Sequence, residues 1–144
     1  MKLNPDCVRD ILVYLEDNLF LFDDGYRVCR NEIGWKTLSE DEKLNKRYLI
    51  DDIRYAVLQL TEAGFVVGKP LTGGQNHGII GFDILDITWA GHELLANLRG
   101  EELWTATKSI ANKLGAYSIK ALSTIASAVI TAKINQYFQG GPPL

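Results

Sequence analysis

Cysteine and histidine are scarce in this chain, which removes most metal and nucleophile chemistry at the outset. Cys7 and Cys29 are its two cysteines; they permit one bridge at most and form no Cys-x-x-Cys pair. Its two histidines, His77 and His92, fall in different predicted elements without partners at metal-ligand spacing, and read as a solvated loop residue and a helix-surface residue. Phosphate-binding fingerprints are missing too: Gly73-Gly74 lacks a following Gly-Lys-Ser/Thr, and no G-x-G-x-x-G occurs. No catalytic residue, metal, cofactor or small-molecule substrate is therefore predicted, and the chain is expected not to be an enzyme.

Positive charge is not in excess. Against 18 Asp and Glu stand 15 Lys and Arg, a net of −3, so the surplus that grips phosphate backbones wholesale is absent. Long apolar runs are missing as well. The longest charge-free stretch near the end, Ala121 to Ala132 between Lys120 and Lys133, falls short of the roughly 20 residues that span a bilayer. No basic leader with an apolar run and cleavage site opens the chain, so a reducing cytoplasm without membrane contact is the expected location. Its 144 residues, 47% of them hydrophobic, suffice for one compact unit with its own core but not for two domains.

What is present reads first as a helix. Asn4 caps, Pro5 suits the first helical position, and Val8, Ile11, Leu12, Leu15 and Leu19 form one apolar stripe, with Arg9, Asp10, Glu16 and Asp17 mostly opposite. Cys7 lies in the first turn and reads as a structural thiol. Asp23-Asp24-Gly25 is a turn, and Tyr26 to Leu38 is expected to be loop with one short strand. Ser39 followed by Glu42 has capping-box form and predicts a short helix over 39–46. A third helix over 49–63 presents Ile50, Ile53, Val57 and Leu60 on one side and stops at Gly64. Phe65–Val67 and Phe82–Ile87 are β-type runs flanking a tip, Thr72 to Gly78, expected to be mobile. Thr88 caps a fourth helix interrupted at Gly100, a fifth runs from Glu101 to Gly115, and Ser118 caps a last helix to about Tyr137.

The expected fold class is mainly α with a small β-hairpin: a winged helix-turn-helix core followed by C-terminal helices. Residues 1–99 form the winged-helix-like part, 100–138 a helical extension in the same compact unit, and 139–144 a frayed tail. The third helix takes the place of the recognition helix. The opening Met1 to Leu12 and the Asp86 to Leu98 segment resemble a family of unknown function found in bacterial genomes and their phages (domain of unknown function 2513). The resemblance extends to about residue 130. It implies a phage or mobile-element setting, but brings no activity and no functional residues. The winged-helix assignment comes from the order of elements.

Two functions compete for that scaffold, and DNA-binding regulation is the first expectation. As a DNA-binding transcriptional regulator, it would use Arg54 and Gln59 to read bases, and Lys43, Lys46, Arg47, Lys69 and His77 on the backbone. Against this, residues 1–99 carry 11 basic and 16 acidic side chains, a net of −5, while residues 100–144 carry 4 and 2, a net of +2. The alternative is an adaptor or inhibitor binding a host protein through an acidic helix face with Tyr55 and Leu58, plus the wing. A homodimer is expected through Trp104, Leu122, Ile125 and Val129, because the last helix has an apolar arc wider than one packing face needs. Trp89 and Trp104 are placed at the seam between the wing and the C-terminal helices.

Overall fold

The computed structural model describes residues 1–75 and 78–140; His77 at the expected wing tip and most of the expected tail lie outside them. Helix α1, Pro5–Asn18, starts where Asn4 Oδ1 accepts from the Cys7 amide at 3.2 Å. It buries Cys7, Val8, Ile11, Leu12 and Leu15 completely. The predicted stripe is thus the centre of the core.

The segment after α1 is more ordered than the expected loop with one strand. Strands β1, Leu21–Asp23, and β2, Val28–Arg30, pair antiparallel, and β3, Ile33–Gly34, follows. Their turn is held by Asp24, whose Oδ1 accepts from the Tyr26 and Arg27 amides, while Gly25 takes φ +94°. Both faces of β1 are exposed, so no inside–outside alternation marked the hairpin in the sequence.

The single helix expected over 39–46 is two: α2, Trp35–Glu40, and α3, Glu42–Arg47. Asp41 is the divider, closing α2 and accepting from the Leu44 amide to open α3. Ser39 does not cap; its hydroxyl donates to the Lys36 carbonyl inside α2. A carboxylate one residue ahead of the next helix serves its positive end better than a hydroxyl.

Helix α4, Ile50–Glu62, buries Ile53, Ala56, Val57 and Leu60. Ile50, expected on that side, lies outside, and Tyr48 ahead of the helix is the buried residue at this end. The helix closes with Gly64 at φ +81°, the Phe65 amide donating to Leu60 O and the Gly64 amide to Thr61 O. This is the paired closure that glycine's left-handed conformation permits.

Strands β4, Val66–Gly73, and β5, Gly78–Ile87, are longer than the runs visible in the sequence. β3 joins the free edge of β5, giving the order β3-β5-β4, with Ile33 opposite Ile84 and Val66 opposite Ile87. Pro70 is tolerated in β4 because that strand is an edge. Gly68 is required there: a Cβ would stand 2.3 Å from the Phe82 ring.

Three helices complete the fold: α5, Trp89–Leu98; α6, Glu101–Leu114; and α7, Ile119–Phe138, capped at Thr88, Gly100 and Ser118. The described residues are thus mainly helical, with two small antiparallel sheets. Most buried side chains form one cluster centred on α1, α4, β5 and α5; Ala111, Leu122, Ile125 and Val129 form a smaller one between α6 and α7. Of the two expected seam tryptophans, Trp104 is buried and donates to Asp6 Oδ1 of α1 at 3.0 Å. Trp89 is not at a seam; it is exposed and bonds Glu93 on its own helix.

α5 is locked to the end of α4. The Thr88 hydroxyl donates to Gly64 O at 2.6 Å, its amide donates to Phe65 O, and a Cβ on Gly91 would stand 2.0 Å from that same Phe65 oxygen. Gly91→Ala is therefore expected to lower the unfolding free energy by roughly 2–3 kcal/mol, because backbone rather than a pliable side chain must move. Thr107 tests the opposite sign. Its hydroxyl is fully buried without a partner among the described residues, so Thr107→Val should raise stability by about 1 kcal/mol in denaturant titration.

A candidate binding face at the head of α4

Helix α4 opens without a polar side chain at its cap position: Leu49 stands there, 74% exposed, followed by Ile50 at 47%. Asp51 is exposed beside them, and the Asp52 carboxylate accepts from the Leu49 amide at 3.3 Å. The positive end of the helix is thus occupied by the chain's own acids, leaving little for an external anion. The acidic face was expected from the sequence; the apolar part of the head was not, because Ile50 looks like the start of the core stripe.

One turn on, the Arg54 guanidinium lies 3.5 Å from Asp51 Oδ1 and 5.5 Å from the centre of the Trp35 ring. Trp35 in turn stacks on Phe82 of β5, so Arg54 rests on an aromatic ladder joining α2, α4 and the sheet. Tyr55 is half-buried, and Leu58 packs partly against the core. Gln59 donates to Glu62, and both line a cleft with Ser118, Ile119 and Lys120 at the start of α7. The C-terminal half of α4 is therefore flanked by the helical extension.

The cations expected on DNA are mostly engaged. Lys46 pairs with Glu42 at 2.9 Å, Lys69 with Glu32 at 3.4 Å, and Arg47 with Asp10 at 2.6 Å. Lys43 has no carboxylate partner among the described residues. His77 lies outside the described residues. Exposed pairs contribute at most about 1 kcal/mol, so the pairing of Lys46 or Lys69 does not itself keep either from a phosphate. The other expected interface residues, Trp104, Leu122, Ile125 and Val129, are buried within this chain. None offers a whole side chain to a second protein.

Asp10 is the polar hinge beneath this face. It accepts from both Arg47 and the Tyr48 hydroxyl, at 2.6 and 2.5 Å, tying the end of α3 to α1. Burial and the adjoining Asp10 carboxylate push the Tyr48 hydroxyl well above the ordinary phenol range. Burial, with Asp52 and Asp10 nearby, pushes the Cys7 thiol up to about 12. Both groups stay neutral, and Cys7 is a packing residue rather than a nucleophile. Among the described residues no cluster of His, Cys, Asp and Glu is arranged to hold a metal ion, and no helix is long and apolar enough to cross a membrane.

The model of a protein family described as "Hypothetical protein (DUF2513)" matches residues 2–118. The match stops at the start of α7, short of the span near residue 130 that the sequence resemblance suggested. No curated protein and no solved structure matches the chain.

The two free thiols separate in reactivity. At pH 8 a thiol reagent should modify Cys29 in the folded chain and reach Cys7 only on unfolding; equal native rates would contradict the buried, neutral thiol. Because the folded value of Cys7 is raised, its contribution to stability is complete below about 9 and lost as pH rises toward about 12. Tyr48 acts in the same alkaline direction. Unfolding titrations should show falling stability above pH 9, with a shallower fall in Cys7→Ala.

Proposed function

We propose that this chain, which belongs to the DUF2513 family, is a non-enzymatic protein-binding module on a winged helix-turn-helix scaffold, acting in a phage or mobile-element setting with the head of α4 as its contact face. The scaffold reading is supported by the order α1, β3, α3, α4, β4, β5 and by the sheet order β3-β5-β4. In that arrangement a short first strand joins the two strands of the wing, and α4 takes the recognition position. The β1–β2 hairpin and α2 are additions to the pattern.

The observation that carries a protein partner over DNA is the chemistry of the first turn of α4. A groove-reading helix places donors there, for phosphates and base edges. This one places Leu49, Ile50, Asp51 and Asp52, leaving Arg54 as the one cation of the helix. Covering the exposed parts of Leu49 and Ile50 with a partner would contribute about 2–4 kcal/mol, a gain that a polar, anionic duplex offers far less. An adaptor or inhibitor that meets a host protein, with the acids selecting a basic rim around an apolar patch, fits these residues.

A second reading, a DNA-binding transcriptional regulator, is favoured by the scaffold and by Lys43, Lys46, Arg47 and Arg54 on α3 and α4. The two separate in one experiment: capture from bacterial lysate with and without nuclease, beside retention on duplex DNA at about 50 mM salt, where counterion release favours binding most. The expected result is a stoichiometric, nuclease-insensitive protein partner, weakened roughly 10–100-fold by Ile50→Asp and unchanged by Lys43→Ala. Salt-sensitive DNA retention that falls in Lys43→Ala and Arg54→Ala, and ignores Ile50→Asp, overturns the protein reading in favour of the regulator.

A further inference from the structure

A second apolar surface lies on the β1–β2 hairpin. Phe20 is 58% exposed, Phe22 44% and Tyr26 98%, with Leu21 and Val28 also largely in solvent. The hairpin is nevertheless held in shape. Asn31 clamps its base, accepting from the Phe20 amide and donating to Asn18 O, and Asp24 fixes its turn. Arg30 anchors its second strand to Asp86 of the main sheet at 2.6 Å. A projection whose backbone is fixed has already met part of the ordering cost of binding, and two isolated strands are marginal without something to cover them.

The complementary hollow is on the same chain. An apolar groove of about 680 Å³ runs between α6 and α7, lined by Ala106, Ile110, Leu114, Ile125, Ala128 and Val129. The hairpin cannot fill its own groove. It leaves the C-terminal end of α1, whereas Leu3, just ahead of α1, packs against the α6–α7 cluster together with Ala106. The 14 residues of α1 separate the two ends by about 21 Å.

We propose that the hairpin of one copy inserts into the α6–α7 groove of a second copy and receives the reverse contact, forming a two-fold dimer closed by two identical contacts. Two copies with their α1 helices antiparallel bring each projection to the other's hollow, so the interface is self-complementary and closes. Area supports this pairing. The exposed parts of Phe20, Phe22 and Tyr26 amount to about two whole aromatic side chains, roughly 300–500 Å². With those side chains wholly covered, two hairpins and the two groove surfaces over them would bury at most roughly 1,200–2,000 Å², the range of stable specific interfaces.

Sedimentation of the full chain across micromolar concentrations tests the arrangement. The wild type should be a dimer. Tyr26→Asp and Ala128→Trp, both at exposed positions, should each weaken association roughly 30-fold or more, with unchanged helical signal. A mixture of the two variants should associate more tightly than either alone, because it restores one intact hairpin-in-groove contact. A monomeric wild type overturns the proposal. So does a dimer indifferent to both substitutions, or a mixture no tighter than its parts.

Discussion

Two adjacent carbonyls, Gly64 and Phe65, decide how the halves of this protein meet. The Thr88 hydroxyl takes the first, its amide takes the second, and Gly91 leaves the room for that approach. α4 ends, β4 begins, β5 ends and α5 begins within this one junction. Since α4 and α5 both pack on α1, fixing the junction fixes the direction in which each leaves the sheet. The apolar stripe of α1 supplies the burial. The junction supplies the angle, which burial alone leaves free because hydrophobic contact is not directional.

Long-range polar ties then attach α3, α5 and α6 to α1, and they do so at both of its ends. Asp6 accepts from Trp104 and Lys108 of α6. Arg9 donates to the last carbonyls of α5 at Leu98 and Arg99 and pairs with Glu101, satisfying groups that a helix end leaves open. Asp10 holds α3 through Arg47 and Tyr48, and Glu16 meets Arg99. α1 therefore does two jobs along one helix. Its inner stripe builds the core, and its outer acids and Arg9 place the neighbouring helices against it.

Those ties explain what was legible in the sequence and what was not. Caps at Asn4, Thr88 and Ser118 and stops at Gly64 and Gly115 act within a few residues, so the ranges of α1, α4, α5, α6 and α7 followed from local chemistry. The β1–β2 hairpin was missed because its residues face solvent on both sides, and the reach of β4 and β5 because turn-forming Gly and Pro residues are paired across them. Arg9 and Asp10 were read as a solvated face. Their partners are more than thirty residues away, a separation no spacing rule reports. The same blindness reversed Ile50, whose exposure depends on where the chain enters α4. It also reversed Trp104, whose partner Asp6 lies at the other end of the chain.

The surfaces left over are of two kinds, and their division follows the charge. Residues 1–99 carry a net of −5, and residues 100–144 a net of +2. The apolar head of α4 and the apolar hairpin belong to the acidic part, and the α6–α7 groove to the basic part. The head of α4 lies on neither the hairpin nor the groove, so the dimer proposed above would leave that apolar patch of each copy free. The two proposed contacts would then draw on different residues, and Asp51 and Asp52 in the first turn of α4 disfavour phosphate at its head.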